Sequence, residues 1–539
     1  MRRRSIDIAA HAAKREVIMP KWLDDAVFYE IYPQSFYDSN GDGIGDIQGI
    51  IEKLDYIKEL GCNALWLNPC FDSPFKDAGY DVRDYKKIAQ RYGGNEDLFR
   101  LFDEAHKRNI KVMLDLVPGH TSEEHEWFTE SKKASPNDEL KNRYIWTDNW
   151  FYAGIEGLKF IAGEAERDGC YIINFFKCQP ALNYGFRDCR AKWQLPPEHP
   201  DCIATREALK DIMRFWLTGD KGRGCDGFRV DMADSLVKFD DEKKSATSAV
   251  WRNIRKMLDD EFPEAALVSE WGCPPLAVNA GFHMDFLLDH GGSGYRSLVR
   301  DYEDGKDNSF FKKDGDGDIT RFLSKYLPWY EAVKKDGYIS MITGNHDTPR
   351  ISHNLSPREL SLVYAVIFTM PGVPFLYYGD EIGMRYLCSL PTKEGGYGRT
   401  GSRTPMQWKS GAGMGFSSAP PDKFYLPVDF DPFAPNVEDQ KQDKASLLNT
   451  VKDLLRLRRN EKDLQAQPNL EILHPSGTKS RCFIYRRGAF IIAVNTCADT
   501  AQINLPVKGT PNLIYSIGEC GIKDGLCKLG PQSFGVWKI

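Results

Sequence analysis

The sequence predicts an α/β protein: a (β/α)8 TIM barrel with an inserted domain after the third strand and a C-terminal antiparallel β-sandwich. Three observations carry this. Short apolar strands alternate with amphipathic helices from Ala26 to about Arg459, the rhythm of a parallel sheet with helical crossovers. The rhythm breaks once, from Thr121 to about Pro200, over a polar and aromatic stretch too long for a plain loop. Beyond Leu470 the pattern turns to short strands of period two, as in an antiparallel sandwich. The expected layout is an N-terminal extension at 1–22, a barrel at 23–120 and 201–462, an inserted domain at 121–200 and a sandwich at 463–539.

The elements follow in order. Val27–Tyr32 reads as the first strand, and Ile47–Leu60 as a helix with apolar residues at 47, 50, 51, 54, 57 and 60, one face of a 3.6-residue period. Ala64–Leu67 is the second strand. Asn95–Arg108 is the next helix, capped by Asn95 with acidic residues in its first turn. Lys111–Val117 is the third strand. After the insertion, with Trp146, Trp150, Phe151, Phe160, Phe175 and Phe176, come a helix at 205–217 and a strand at Asp226–Asp231. A helix at 250–262 and strands at Ala266–Glu270, Asp285–Leu288, Ile339–Ile342 and Val373–Asp380 complete eight. The last barrel helix is expected at 444–459. C-terminal strands are expected at 482–485, 489–494 and 534–537.

Composition excludes several classes of function. A net charge of −6 over 539 residues provides no basic field for nucleic acid and no attraction to an acidic membrane. No apolar run approaches the ~18 residues of a membrane span. Three arginines follow Met1, but no apolar segment follows them, so a signal peptide is not expected; Met19-Pro-Lys-Trp22 looks like a natural beginning. Thirteen cysteines, with no C-x-x-C pair or Cys/His metal spacing, read as reduced thiols in a cytoplasmic protein. The oligomeric state is not legible.

Polar residues gather where the strands should end. Asp226-Gly-Phe-Arg-Val-Asp231 closes a strand on Asp231, with Arg229 on the same face. A guanidinium beside a carboxylate favours the ionised form, so Asp231 is expected to be a persistent anion and a candidate nucleophile. Taken alone, the pair reads better as a surface ion pair at a strand end. The third strand adds Asp115 and His120, the fifth Glu270, the seventh His346 and Asp347. Three carboxylates converging from three strand ends point to an active site. Two carboxyl groups about one bond are what glycoside hydrolysis requires, whereas no H-E-x-x-H spacing supports a catalytic metal.

Asp115-Leu-Val-Pro-Gly-His120, Gly227-Phe-Arg-Val-Asp231, Val268-Ser-Glu270 and Gly344-Asn-His-Asp347 resemble the four ordered motifs of the α-amylase superfamily of glycoside hydrolases. Gly79-Tyr-Asp81, Gln179-Pro-Ala-Leu-Asn183, Val373–Glu381 and Arg403-Thr-Pro-Met-Gln-Trp408 extend the match, the last of them toward the α-glucosidase, oligo-1,6-glucosidase and trehalose synthase branch. The resemblance covers roughly residues 22 to 539. It implies Asp231 as the nucleophile of a retaining double displacement, Glu270 as acid and then base, and Asp347 as the group that holds substrate hydroxyls. It further implies that Arg229 orients Asp231, that Tyr80, Asp81, His120 and His346 bind the cleaved glucosyl ring, and that Arg403 closes the pocket. The expected substrate is an α-glucan or short malto- or isomalto-oligosaccharide. A transglycosylase of trehalose synthase type, an α-amylase on longer glucans and a non-catalytic relative are the alternatives. The last would have lost the carboxylates present here.

Asp38-Ser-Asn40-Gly-Asp42-Gly-Ile44-Gly-Asp46 sets oxygen ligands at alternate positions, as in the start of an EF-hand loop. A structural Ca²⁺ held by the side chains of Asp38, Asn40, Asp42 and Asp46 and the Ile44 carbonyl is expected there, as in several relatives. Asp314-Gly-Asp-Gly-Asp318 reads instead as a turn capping the following helix. The chain departs from typical α-amylases at Gly119 and Ala181, where that family binds a second Ca²⁺, so that site is expected to be absent. Asp234 and Ser235 replace a Lys-His pair, which disfavours a long endo-acting cleft. Met232 follows Asp231 and leaves α-1,4 against α-1,6 preference open.

Overall fold

The computed structural model describes residues 18–135, 138–151, 157–289, 292–302, 305–477, 479–507 and 509–539; the first seventeen residues of the expected N-terminal extension lie outside them. Eight short strands form the expected barrel: β1 Phe28–Ile31, β2 Ala64–Leu67, β3 Lys111–Leu116, β4 Gly227–Val230, β5 Ala266–Ser269, β6 Met284–Phe286, β7 Tyr338–Ser340 and β8 Phe375–Tyr377. Each runs parallel to its sequence neighbour, and β1 also pairs with β8, Phe28 opposite Phe375. The circle closes where Thr343 and Phe375 amides donate to Phe375 and Met341 carbonyls, 2.9 Å each. Buried β-branched and aromatic residues fill these strands because both faces are covered. Gly227 opens β4 with φ 146°, and a Cβ there would stand 2.0 Å from the Ala266 carbonyl. Only glycine lets β4 and β5 approach so closely.

Inside the barrel an aromatic stack supports the strand ends. Phe28 stacks on Phe375 at 4.2 Å, Phe286 meets Phe375 edge-on at 4.8 Å, and Trp66 stacks on Phe286 at 5.3 Å. Such pairs add about 0.5–1.5 kcal/mol each beyond the area they bury, and they give polar groups above them a rigid floor.

The helices depart from expectation at their ends, where caps decide. The single helix expected at 47–60 is two, α1 Ile47–Glu52 and α2 Leu54–Leu60, with Lys53 unwound between them. The Lys53 ammonium is spent over the Tyr37 and Trp408 rings, at 3.8 and 4.5 Å. Helix α3, Asn95–Lys107, is capped by Gly94 and not by Asn95; the Asp97 carboxylate accepts the Gly94 amide, while Asn95 bonds back to Lys86 and Ile88. Helix α4, Pro200–Thr218, begins earlier than the apolar pattern suggested, with proline at its first position where no amide is needed. Helix α5, Ser245–Glu261, likewise starts early, its first amides accepted by the Asp240 and Asp241 carboxylates. Asp318 caps α6, Ile319–Val333, as expected. Helices α7, Pro357–Thr369, and α8, Leu447–Asn460, then pack together outside the barrel.

Between β3 and α4 lie a short helix, Glu126–Ser131, and a hairpin pairing Lys159–Ile161 with Tyr171–Ile173. This inserted segment rejoins the barrel through a bridge between His120 and Ala181. After α8, strands β9 Leu470–His474, β10 Cys482–Arg487, β11 Phe490–Asn495, β12 Ala501–Asn504, β13 Asn512–Ile517, β14 Cys520–Lys523, β15 Leu526–Leu529 and β16 Ser533–Lys538 follow. They form a five-stranded antiparallel sheet, β9-β10-β11-β16-β13, and a three-stranded one, β12-β15-β14. Alternation divides β10 and β11 between two cores. Phe483, Tyr485, Ile492 and Val494 face the barrel, whereas Ile484, Ile491 and Ala493 pack with Leu529 and Trp537, as a period of two demands. Among the described residues no helix is long and apolar enough to cross a membrane.

Candidate active site

Backbone bonds hold the key residues just past the strand ends. The Asp231 amide donates to the Leu116 carbonyl of β3, and the Glu270 amide to the Val230 carbonyl of β4, 2.9 Å each, so both side chains are aimed by the barrel and not by free loops. Between them lies Arg229, 1% exposed. Its Nη1 donates to Asp115 Oδ1 at 2.8 Å and to Asp231 Oδ1 at 3.0 Å, and its Nη2 lies 3.0 Å from Glu270 Oε2. One guanidinium therefore spans both carboxyl groups. Its face lies over the Trp66 ring at 5.1 Å, and Trp66 Nε1 donates to Asp115 Oδ2 at 3.2 Å.

These groups open on a cavity of about 490 Å³, within the range of small-ligand sites. Asp231, Glu270 and Asp347 line it together with Tyr80 and His120, and Met232, Asp234 and Trp271 flank them. Arg229, His346, Arg403 and Asp81 stand behind this wall, each almost fully buried. Asp81 is held by the loop: it accepts from Ser73 Oγ and from the Lys76 and Asp77 amides, at 2.9 to 3.0 Å. Arg403 bonds to the His346 carbonyl and to Asp347 Oδ1, at 2.8 and 3.0 Å.

Two residues outside the sequence-based set reach the pocket instead. Asp77 lines it; Gln179 donates to its Oδ2 at 2.7 Å, and its Oδ1 has no hydrogen-bond partner. Burial raises its carboxyl to about 6. Arg399 lines it too, donating to Asp347 Oδ1 at 2.9 Å with Nη2 3.6 Å from Asp77 Oδ1. A signal for Arg399 lay in its position four residues before Arg403. Phe175 adds an aromatic edge from the inserted segment.

The carboxyl groups differ in charge state for physical reasons. Burial raises Glu270 to about 7 against the pull of Arg229, and the Asp231 and Asp347 charges add to the rise. Asp231 is not the persistent anion that its arginine neighbour suggested. Burial raises it to about 7 as well, although Arg229 and a hydrogen bond from Glu270 favour its ionised form. Near neutrality the two therefore hold about one proton between them. Burial also raises Asp347, but surrounding positive charge outweighs it and holds the carboxyl well below the usual range. The largest pull comes from His346, which is charged only below about 3; Arg403, Arg399 and Arg229 follow, and these remain charged at pH 7.

Met232 has a left-handed backbone, φ 42° and ψ 45°, a conformation that costs a non-glycine residue roughly 1–3 kcal/mol and collects at functional sites. It brings the Met232 amide to Glu270 Oε2 at 3.2 Å. His120 Nε2 lies 3.1 Å from the Tyr80 carbonyl, and burial lowers the ring to about 4. At Gly119 a Cβ would stand 2.5 Å from Asn174 Nδ2. Asn174 Oδ1 accepts from Lys238 Nζ at 2.8 Å, and the same ammonium donates to the Ser235 carbonyl. Asn174 thus fills the space that a side chain at 119 would need.

In the loop at 38–46 all the candidate donors are oxygens, the chemistry of a Ca²⁺ site. As placed, Asp38 accepts the Asn40, Gly41 and Gly43 amides, Asn40 that of Asp42, and Asp42 that of Ile44. Asp46 caps α1 through the Gly49 amide. These turns orient the side-chain oxygens along one run of backbone. Among the described residues no three His, Cys, Asp or Glu side chains stand close enough to share an ion, so Ca²⁺ would have to draw them together.

Residues 30–467 match the family described as "Alpha amylase, catalytic domain". Trehalose synthase/amylase TreS of Mycolicibacterium smegmatis is 33% identical over 495 residues, spanning 81% of this chain and 76% of that protein. Glucan 1,6-alpha-glucosidase of Streptococcus pneumoniae is 32% identical, over 87% of this chain and 89% of that protein. The crystal structure of isomaltulose synthase from Erwinia rhapontici superposes with a TM-score of 0.78 at 26% identity, covering 96% of this chain and 99% of that one.

Proposed function

Because this chain belongs to the α-amylase family of glycoside hydrolases, we propose that it hydrolyses α-glucosidic bonds in short malto- or isomalto-oligosaccharides by a retaining double displacement. The observation that carries this is the single Arg229 guanidinium reaching both Asp231 and Glu270 at 3.0 Å. Two carboxyl groups held by one guanidinium suit attack by one of them and proton donation by the other.

Asp231, ionised, attacks the anomeric carbon while Glu270 gives its proton to the leaving oxygen, leaving a glycosyl ester on Asp231 and an ionised Glu270. A water then loses a proton to Glu270 and its oxygen attacks the same carbon, which releases sugar and restores both groups. Asp347, ionised between arginines, accepts sugar hydroxyls and opposes the positive charge of the oxocarbenium-like transition state. The Asp77 Oδ1, buried and without a hydrogen-bond partner, is a further acceptor. Thirteen free cysteines support a reducing, cytoplasmic setting. The run of oxygen donors at Asp38, Asn40, Asp42, Ile44 and Asp46 supports a structural Ca²⁺ with no part in these steps; a melting temperature unchanged by chelator would argue against it.

The test is incubation with maltose, isomaltose and maltoheptaose, with products followed by NMR. Release of α-glucose first is expected, and β-glucose first rejects the double displacement. Trehalose formed from maltose moves the assignment to an isomerase using the same covalent intermediate, a reading favoured by the similarity to a trehalose synthase/amylase.

A further inference from the structure

Glu30 takes no part in the steps above, yet it stands at one end of a polar chain that reaches Asp231. It comes from the middle of β1 and has no solvent exposure. Its Oε1 lies 2.9 Å from Nδ1 of His346. Asn68 Nδ2 is 3.2 Å from that oxygen and 3.0 Å from that nitrogen. Across the ring, His346 Nε2 is 2.6 Å from the Tyr80 hydroxyl and 3.4 Å from Asp347 Oδ2. The Tyr80 hydroxyl is 3.1 Å from Asp115 Oδ2. Asp115 in turn shares Arg229 Nη1 with Asp231.

Counting hydrogens orders this chain. A carboxyl oxygen and a ring nitrogen 2.9 Å apart share one hydrogen. Were Glu30 ionised and the ring protonated at Nδ1 alone, the pair would bury a full negative charge, which a fully buried site strongly disfavours. Arg229, the guanidinium whose charge acts on Glu30, already serves three other carboxyl groups. Of the two neutral arrangements, one places the acid hydrogen on Glu30 Oε2, which has no hydrogen-bond partner; the other puts one hydrogen between Glu30 Oε1 and Nδ1 and another on Nε2. Burial pushes Glu30 up and His346 down to about 3, in keeping with a carboxylic acid donating to a neutral ring.

We propose that Glu30 is a positioning residue for the reaction: by donating to Nδ1 it holds His346 in the tautomer with hydrogen on Nε2, which donates to Tyr80 and turns the Tyr80 O–H onto Asp115. The hydrogen bond at one ring nitrogen decides which proton the other carries. Tyr80 then presents a fixed ring to the sugar, and Asp115 keeps Arg229 in register with the nucleophile. The role rests on the glycosidase reading of Asp231; the tautomer does not.

The tautomer is read first, in the unaltered protein, from nitrogen-15 correlation spectra of the histidine rings, with His346→Gln identifying the signal. Hydrogen on Nε2 is expected. Hydrogen on Nδ1 with Nε2 bare overturns the proposal whatever the protein hydrolyses. Glu30→Gln keeps a donor to Nδ1 and should retain kcat/KM within about threefold, with the ring signals unchanged. Glu30→Met removes the donor and should lower kcat/KM by roughly tenfold or more, chiefly through kcat. A methionine variant with full activity, or a glutamine variant as damaged as the methionine one, overturns the role. If Glu30→Met does not fold, the wild-type tautomer and the glutamine variant still decide.

Discussion

The two walls of the pocket treat the same chemical group in opposite ways. On one, Asp231 and Glu270 share a single guanidinium and are pushed up to about 7. On the other, Asp347 receives two arginines on one oxygen and is held far down. Burial penalises all three charges. What separates them is the positive charge gathered around each, and under the proposed mechanism this divides the labour between two groups that exchange protons and one that stays ionised.

The largest effect that would break this contrast is in turnover. Asp231→Asn should lower kcat about ten-thousandfold, and near-normal hydrolysis would reject Asp231 as the nucleophile. Stability should follow the opposite logic on the two walls. A carboxyl raised in the folded protein costs stability from its unfolded value near 4 upward, and the cost is complete above its folded value near 7. Glu270→Gln should therefore melt higher than wild type, by roughly 1–3 kcal/mol at pH 8 and by little at pH 4. A depressed carboxyl stabilises above its unfolded value and loses that contribution only as pH falls through its folded one. Asp347→Asn should accordingly melt lower at pH 7. Thermal melts that move the same way for both variants would dissolve the distinction.

Next in size is the pH profile. Hydrolysis needs Asp231 ionised and Glu270 protonated, so kcat/KM should peak where the pair holds one proton and fall on both sides. A profile flat from pH 5 to 9 would contradict this. Arg399→Leu, which leaves Arg403 on Asp347, should cost roughly tenfold in kcat/KM, and an unchanged value would make Arg403 sufficient. The smallest effect is expected away from both walls: Lys238→Met should lower stability by about 1–2 kcal/mol, seen in a denaturant midpoint, by leaving Asn174 and the Ser235 carbonyl short of a donor.

The barrel was legible because strand spacing and ordered carboxylates are local signals. Side-chain direction was not. Asp77 and Asp81 lie four residues apart in one loop, but Ala78 and Gly79 both take positive φ, 50° and 99°, and reverse the chain between them. Asp77 then faces the pocket, while Asp81 folds back onto loop amides. The charge state of Asp231 escaped for a related reason: sequence reveals the neighbouring arginine but not the burial that opposes it. Glu30 sits in an apolar strand, where nothing marks the ring it will meet from a loop 316 residues later.

The bond from Lys238 to Asn174 has a mechanical consequence. Asn174 immediately precedes Phe175, which edges the pocket, and Lys238 ends the turn that begins at Met232. The ammonium therefore ties the aromatic edge of the pocket to the stretch of chain that follows Asp231, so that a change at Lys238 reaches both.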